Sequence, residues 1–196
     1  MEERTLRTQD YLSLGYIYLV TLGILKDSIY YGFLGVNIIS YSNILDVLLS
    51  PIAYLSRHPG VSAALLLLFL WLMIQPQLHQ KYRGQKWYQK IFNVEKRDQI
   101  YAQSNAFPKE IIFIFFLFIT SFFIGTGLGG GYRMKNKIKK ESLEMTNVLY
   151  FNDDTKMKVN IIGQNSNYVF YVSVGTKTIA ISPISGNIKS IGEIAN

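Results

Sequence analysis

Lys26 and Asp27 stand side by side between two uncharged runs, Tyr11 to Leu25 and Ser28 to Leu45. An ammonium and a carboxylate in such an apolar setting are candidates for lining a pore or for gating it. An ionised side chain at mid-bilayer costs roughly 2.5 to 3.5 kcal/mol on insertion scales, and it turns towards partners or water. Two readings follow. If Tyr11 to about Val36 forms one tilted helix, the pair lies inside it, and Lys26, Asp27 and the nearby Asn37 are pore or gating candidates. If two short spans meet at the pair, both residues are ordinary loop charges.

Two cationic groups form a second constellation. Arg133, Lys135, Lys137, Lys139 and Lys140 follow Tyr132 as a collar, and Lys81, Arg83 and Lys86 open an earlier basic stretch. Cations at this density hold anions such as lipid headgroups, nucleotides or oligonucleotides. In HQKYRGQKWYQKIFNVEKRDQIYAQ they interleave with Tyr82, Trp87, Tyr88 and Phe92, a mixture that suits a helix at the membrane boundary, where each side chain keeps a polar end wet.

The run Gly125-Thr126-Gly127-Leu128-Gly129-Gly130-Gly131 resembles a phosphate loop only superficially, because no Walker Lys-Ser/Thr follows it and no strand precedes it. Gly125 with Gly129, and Gly127 with Gly131, have the spacing that lets membrane helices approach closely. The same run could serve as a hinge. His58 and His79, the only histidines, each lie beside a predicted membrane boundary without an acidic neighbour at ligand spacing. The chain has no cysteine, which excludes disulfides, thiolate metal sites and cysteine nucleophiles. Asp153 and Asp154 suit a solvated hairpin turn. No catalytic residue, metal or cofactor is expected.

The elements that must position these groups are largely apolar helices. Ile111 to Tyr132 is a stretch of twenty-two residues without a charge. A helix rises about 1.5 Å per residue and the hydrocarbon layer is roughly 30 Å thick, so about 20 apolar residues cross it. Pro59 to Leu78, with ALLLLFLWLMI at its centre, predicts a second span. From Ile44 to Leu55, apolar residues at 44, 48, 52 and 55 share a helical face opposite Asn43, Asp46 and Ser50, which predicts an amphipathic helix. Such a helix lies at the interface or lines a polar path in an oligomer.

Beyond the collar the period changes to that of strands, near 148–151, 156–163, 167–174, 177–182 and 187–191, separated by Asn152-Asp153-Asp154, Gln164-Asn165-Ser166, Gly175-Thr176 and Ser185-Gly186-Asn187. The fold class expected is therefore an integral membrane α-helical protein of three or four spans with a small C-terminal antiparallel β-meander. Its parts are an N-terminal membrane region over 1–58, a span over 59–78, a basic aromatic loop over 79–110, a span with a glycine-rich end over 111–132, the collar over 133–146 and the β domain over 147–196. About fifty residues rarely bury enough surface alone, so the sheet should pack on the basic loop, the collar helix or neighbouring copies, which predicts a homo-oligomer.

A net charge of +7 on a chain with 49% hydrophobic residues is best matched to anionic headgroups in a bilayer. The start MEERTLRTQD is mixed in charge and predicts a retained anchor instead of a cleaved leader. Counting cations does not orient the chain. Four crossings place eight on each side, and three place nine against seven. We expect a multi-pass protein of the cell membrane with its β domain in the cytosol, a placement that suits intracellular ligand sensing.

In layout, the spans at Pro59 to Leu78 and Ile111 to Tyr132 followed by strands from Asn147 resemble the compact membrane effectors of bacterial antiphage defence systems. That resemblance implies a few spans coupled to a small ligand-responsive domain, and a membrane compromised when the domain is triggered. It carries over no ligand residue. Three functional expectations follow: a homo-oligomeric channel or membrane-perturbing effector regulated by an anionic ligand, a membrane scaffold that recruits a soluble partner protein through its β domain, and, with least support, a lipid-modifying enzyme.

Overall fold

The computed structural model describes residues 8–102 and 109–194. Among these residues six α-helices precede five strands: α1 Thr8–Phe33, α2 Ile44–Arg57, α3 Pro59–Tyr82, α4 Lys86–Ile91, α5 Val94–Ala102, α6 Lys109–Lys139, then β1 Asn147–Phe151, β2 Lys156–Gln164, β3 Tyr168–Ser173, β4 Ala180–Pro183 and β5 Ile188–Glu193. Among the described residues, three helical segments, Leu12–Phe33, Pro59–Tyr82 and Ile112–Lys139, are long and apolar enough to cross a membrane. The described chain divides into two compact units, one formed by Met1–Ile52 with Phe123–Asn196 and the other by Ala53–Phe122.

In the first unit, α1 passes through Lys26 and Asp27 without a break. Of the two sequence readings, the single helix is the one observed, and the uncharged run after Asp27 is not a span of its own. The helix stops because Gly35 takes a left-handed φ of 78°, a conformation glycine adopts without a Cβ clash. The amides of Leu34 and Val36 both donate to the Tyr31 carbonyl, closing the end. A short 3-10 turn, Ile38–Tyr41, leads into α2.

Reciprocal bonds begin α2. The Asn43 side chain accepts from the Asp46 amide at 2.8 Å, and the Asp46 carboxylate accepts from the Asn43 amide at 3.0 Å. Its apolar residues Ile44, Leu45, Leu49 and Ile52 are all exposed. Of the apolar face expected at 44, 48, 52 and 55, Ile44 and Ile52 are thus exposed while Leu48 and Leu55 are half-buried. Pro51 lies within α2 and has no amide to offer the Val47 carbonyl four residues back. That carbonyl instead faces Gly23 of α1, where a Cβ would collide with it.

The sheet departs from the expected meander at its last strand. Strands β1 to β4 follow one another antiparallel, but β5 returns to pair with β1, giving the order β4-β3-β2-β1-β5. Only the turn at 184–187 joins the two outermost strands, with the Ile188 amide bonded to the Ile184 carbonyl at 3.1 Å. A sheet whose edges meet through so short a turn must curl. The Gly175–Thr176 turn falls where the sequence placed it, but strand β4 begins only at Ala180, later than the expected 177.

Curling gives the sheet two buried faces. One encloses Leu149, Val159, Val169 and Tyr171 with Phe151, Ile161 and Ile188 packed around them. The other sets Phe170 against Tyr31 and Ile38, with Tyr30, Leu34, Tyr41, Ile162 and Tyr168 alongside. A second layer for this fifty-residue sheet is therefore supplied by the end of α1 and the 3-10 turn, an element not among the expected basic loop, collar helix or neighbouring copies. Burying a phenylalanine such as Phe170 contributes about 1.5 to 3 kcal/mol.

Candidate functional site

The polar centre of the first unit is Lys26. Its ammonium donates to Asp27 at 2.9 Å and to the Ser50 hydroxyl of α2 at 3.2 Å. The Lys26 and Asp27 side chains are 17% and 19% exposed, so the pair is mostly enclosed and compensates itself. Asn37 stands apart from it, exposed at the start of the 3-10 turn. With Ser28, Gly32 and Ile38 it lines an open pocket of about 340 Å³. Among the described residues, Ser28 Oγ is the buried side-chain polar atom without a hydrogen-bond partner.

The glycine run meets α1 on one of its two predicted stripes. A Cβ at Gly127 would fall 2.8 Å from the Lys26 carbonyl oxygen, and one at Gly131 would fall 2.8 Å from that of Tyr30. Four residues along α6 thus match four residues along α1 in the same direction, so the two helices run parallel through a glycine-sided seam. Gly125 and Gly129 face open space. The run stays helical throughout, because α6 extends unbroken from Lys109 to Lys139.

Because α6 extends so far, the collar is its last two turns. Arg133, Lys137, Lys139 and Lys140 are exposed and Lys135 is partly covered. The Arg133 guanidinium donates to the Gly129 carbonyl at 3.1 Å. The helix closes when the Ser142 amide reaches the Lys137 carbonyl at 3.0 Å and the Glu141 amide reaches that of Ile138 at 3.1 Å. Glu141 takes a positive φ of 53° there, in a position usually given to glycine. Its carboxylate binds Lys177 of the β3–β4 turn at 2.8 Å, and that hydrogen bond holds the Glu141 carboxyl below the ordinary range.

The sheet is tied to the helices by polar bonds as well as by Phe170. Asp46 accepts from the Ser166 amide and hydroxyl, both at 3.1 Å, while Asn43 donates to the Ser166 hydroxyl at 2.9 Å. Asn165 donates to the Tyr41 carbonyl at 2.9 Å. The β2–β3 hairpin is in this way latched to the start of α2. Asp153, by contrast, closes its own turn by accepting from the Thr155 amide and hydroxyl, and Asp154 binds Lys189.

The second unit holds a network that sequence spacing did not reveal. His79, 1% exposed near the end of α3, has Asp98 at 2.8 Å on Nε2 and the Tyr88 hydroxyl at 3.2 Å on Nδ1. The sequence places no acidic residue at ligand spacing from His79, and its partner Asp98 comes from nineteen residues away, folded back by the α4–α5 turn. Arg97 donates to Tyr88 at 2.8 Å and to Gln75 at 3.2 Å, and lies 4.1 Å from the Phe92 ring centre. A consistent proton order runs from Arg97 to the Tyr88 oxygen, from Tyr88 to Nδ1, and from Nε2 to the carboxylate. The bond from His79, helped by Arg83 at 3.7 Å, holds the Asp98 carboxyl below the ordinary range.

Although Asp, His and Tyr in line look like a catalytic relay, His79 and the 3%-exposed Tyr88 are closed to a substrate. The network is a clamp between α3 and the short helices after it. Arg83 is drawn into it, whereas Lys81 and Lys86 remain exposed on its outside. Among the described residues, no group of three side chains is placed to hold a metal ion. No family model, curated protein or solved structure matches the chain.

Proposed function

We propose that the chain is a homo-oligomeric membrane channel or membrane-perturbing effector, in which α1, α3 and α6 cross the bilayer and the C-terminal sheet with the collar receives an anionic ligand. The observation that carries this reading is the continuity of contact from sheet to helices. Phe170 sits on Tyr31, Ser166 on Asp46, and the same stretch of α1 meets α6 at Gly127 and Gly131. A displacement of the sheet therefore acts on α1 and α2 directly, beside Lys26, Asp27 and Ser50. The parallel course of α1 and α6 is what three crossings require. The exposed collar offers cations to a nucleotide or oligonucleotide. The β domain then lies on the cytosolic side of the cell membrane, in keeping with the layout of antiphage membrane effectors.

Reconstitution in liposomes tests the proposal. Ion flux should appear on addition of an anionic ligand and weaken when Lys139 and Lys140 are reversed to Glu. Absence of flux under every condition, with stable capture of a soluble protein, would favour the scaffold instead. One observation supports that second reading: β5 pairs on one side only, with β1, and its other edge could accept a partner strand.

A further inference from the structure

We infer that α4 is an anionic-lipid binding plate, held against the end of α3 by the His79 clamp. This rests on the reading that α3 crosses the bilayer. Tyr88 is pinned inward on His79 and fixes the rotation of the whole helix. Around the helix from Tyr88 come first Ile91 and Trp87, which are 66% and 50% exposed, and then Lys90 and Lys86, both exposed. The α4 surface thus passes from buried, through apolar but uncovered, to cationic.

A tryptophan and an isoleucine a turn apart, uncovered by the fold and flanked by lysines, match the headgroup layer, where an aromatic body and a cation are both satisfied. Tyr82 extends the plate, with its ring 5.6 Å from that of Trp87 and the Lys81 ammonium 5.4 Å from its own ring centre. The charge is available to a ligand. Arg83 and Arg97 are committed to Asp98, Tyr88 and Gln75, but among the described residues no carboxylate lies within ion-pair distance of Lys86 or Lys90. Continuity with the apolar helix α3 makes bilayer lipid the occupant, and the lysines select anionic headgroups over zwitterionic ones.

Trp71→Phe leaves Trp87 as the sole tryptophan of the full chain. In vesicles of phosphatidylcholine with phosphatidylglycerol, brominated phosphatidylglycerol should quench Trp87 about twofold more than equally abundant brominated phosphatidylcholine. Lys86→Gln with Lys90→Gln, or high salt in the parent protein, should remove the preference while Trp87 stays quenched. Equal quenching in the parent would overturn the lipid selectivity. No quenching by either lipid, in protein that resists alkaline extraction, would overturn the plate and leave the spanning reading intact. Release by alkaline extraction would instead defeat the spanning reading itself.

Discussion

The Cβ that Gly127 lacks would stand 2.8 Å from the carbonyl oxygen of Lys26. The residue whose side chain forms the polar centre of α1 thus also gives its backbone to the contact with α6. Side chain, seam and α2 meet within one turn of helix.

Gly127→Ala and Gly131→Ala should each destabilise the protein by about 1 to 3 kcal/mol, since backbone atoms rather than flexible side chains would have to move. Gly125→Ala and Gly129→Ala face open space and should be neutral, or stabilising by up to about 1 kcal/mol through helix propensity. Thermal unfolding in detergent reads the contrast, and equal behaviour of all four variants would remove the seam.

Phe170→Ala should cost about 3 to 5 kcal/mol, as large deletions in closed cores do. Its signature is location. Hydrogen exchange should rise at the end of α1 and in the 3-10 turn, whereas Leu149→Ala, on the opposite face of the sheet, should loosen β1, β2 and β5 first.

Asp46→Ala leaves the Asn43 side chain capping α2 but removes the carboxylate that accepts from the Asn43 amide and from Ser166. A loss of about 0.5 to 1.5 kcal/mol is expected for each hydrogen bond removed, less where water replaces it. The Ser166 amide should exchange faster while amides of the inner strands keep their protection; unchanged exchange at Ser166 would mean that the latch carries no stability.

Acid should loosen the clamp through Asp98. A carboxyl held below its ordinary value in the folded protein stabilises the fold above its unfolded pKa, and that contribution is lost as pH falls from there through the lowered value. The difference in melting temperature between the parent and Asp98→Asn should therefore be constant near neutrality and shrink below about pH 4. A difference independent of pH down to strong acid would contradict this.

Glu141→Gly and Glu141→Ala separate backbone strain from charge. Both lose the ion pair with Lys177, whose partners are about 60% exposed, and such pairs are worth about 0 to 1 kcal/mol. Only glycine also relieves the positive φ, so the Gly variant should melt above the Ala variant by the equivalent of about 1 kcal/mol.

Periodicity revealed the local elements well. The uncharged runs Tyr11 to Leu25, Pro59 to Leu78 and Ile111 to Tyr132 lie within helices, whereas Ser28 to Leu45 crosses the end of α1, the 3-10 turn and the start of α2; the alternation over 156–163 lies within β2. It did not reveal partners. That β5 lies beside β1, that Phe170 covers Tyr31, or that Asp46 receives Ser166 from 120 residues away depends on how the chain closes, and no local spacing records it. His79 illustrates the same limit: a search at ligand spacing misses an Asp98 brought round by a turn. For the glycines the spacing named two stripes, and only the direction of α1 selected Gly127 and Gly131.

Lys26 and Asp27 are bonded to each other on one helix, so if α1 crosses the bilayer as proposed they enter it as a mutually compensated pair. A lone elementary charge moved across the bilayer would feel about 2.3 kcal/mol per 100 mV, but two opposite charges moving together feel almost none of it. A pathway built beside this pair has no voltage sensor there. In the channel proposed above, any gating that moved this pair alone would therefore be indifferent to membrane potential.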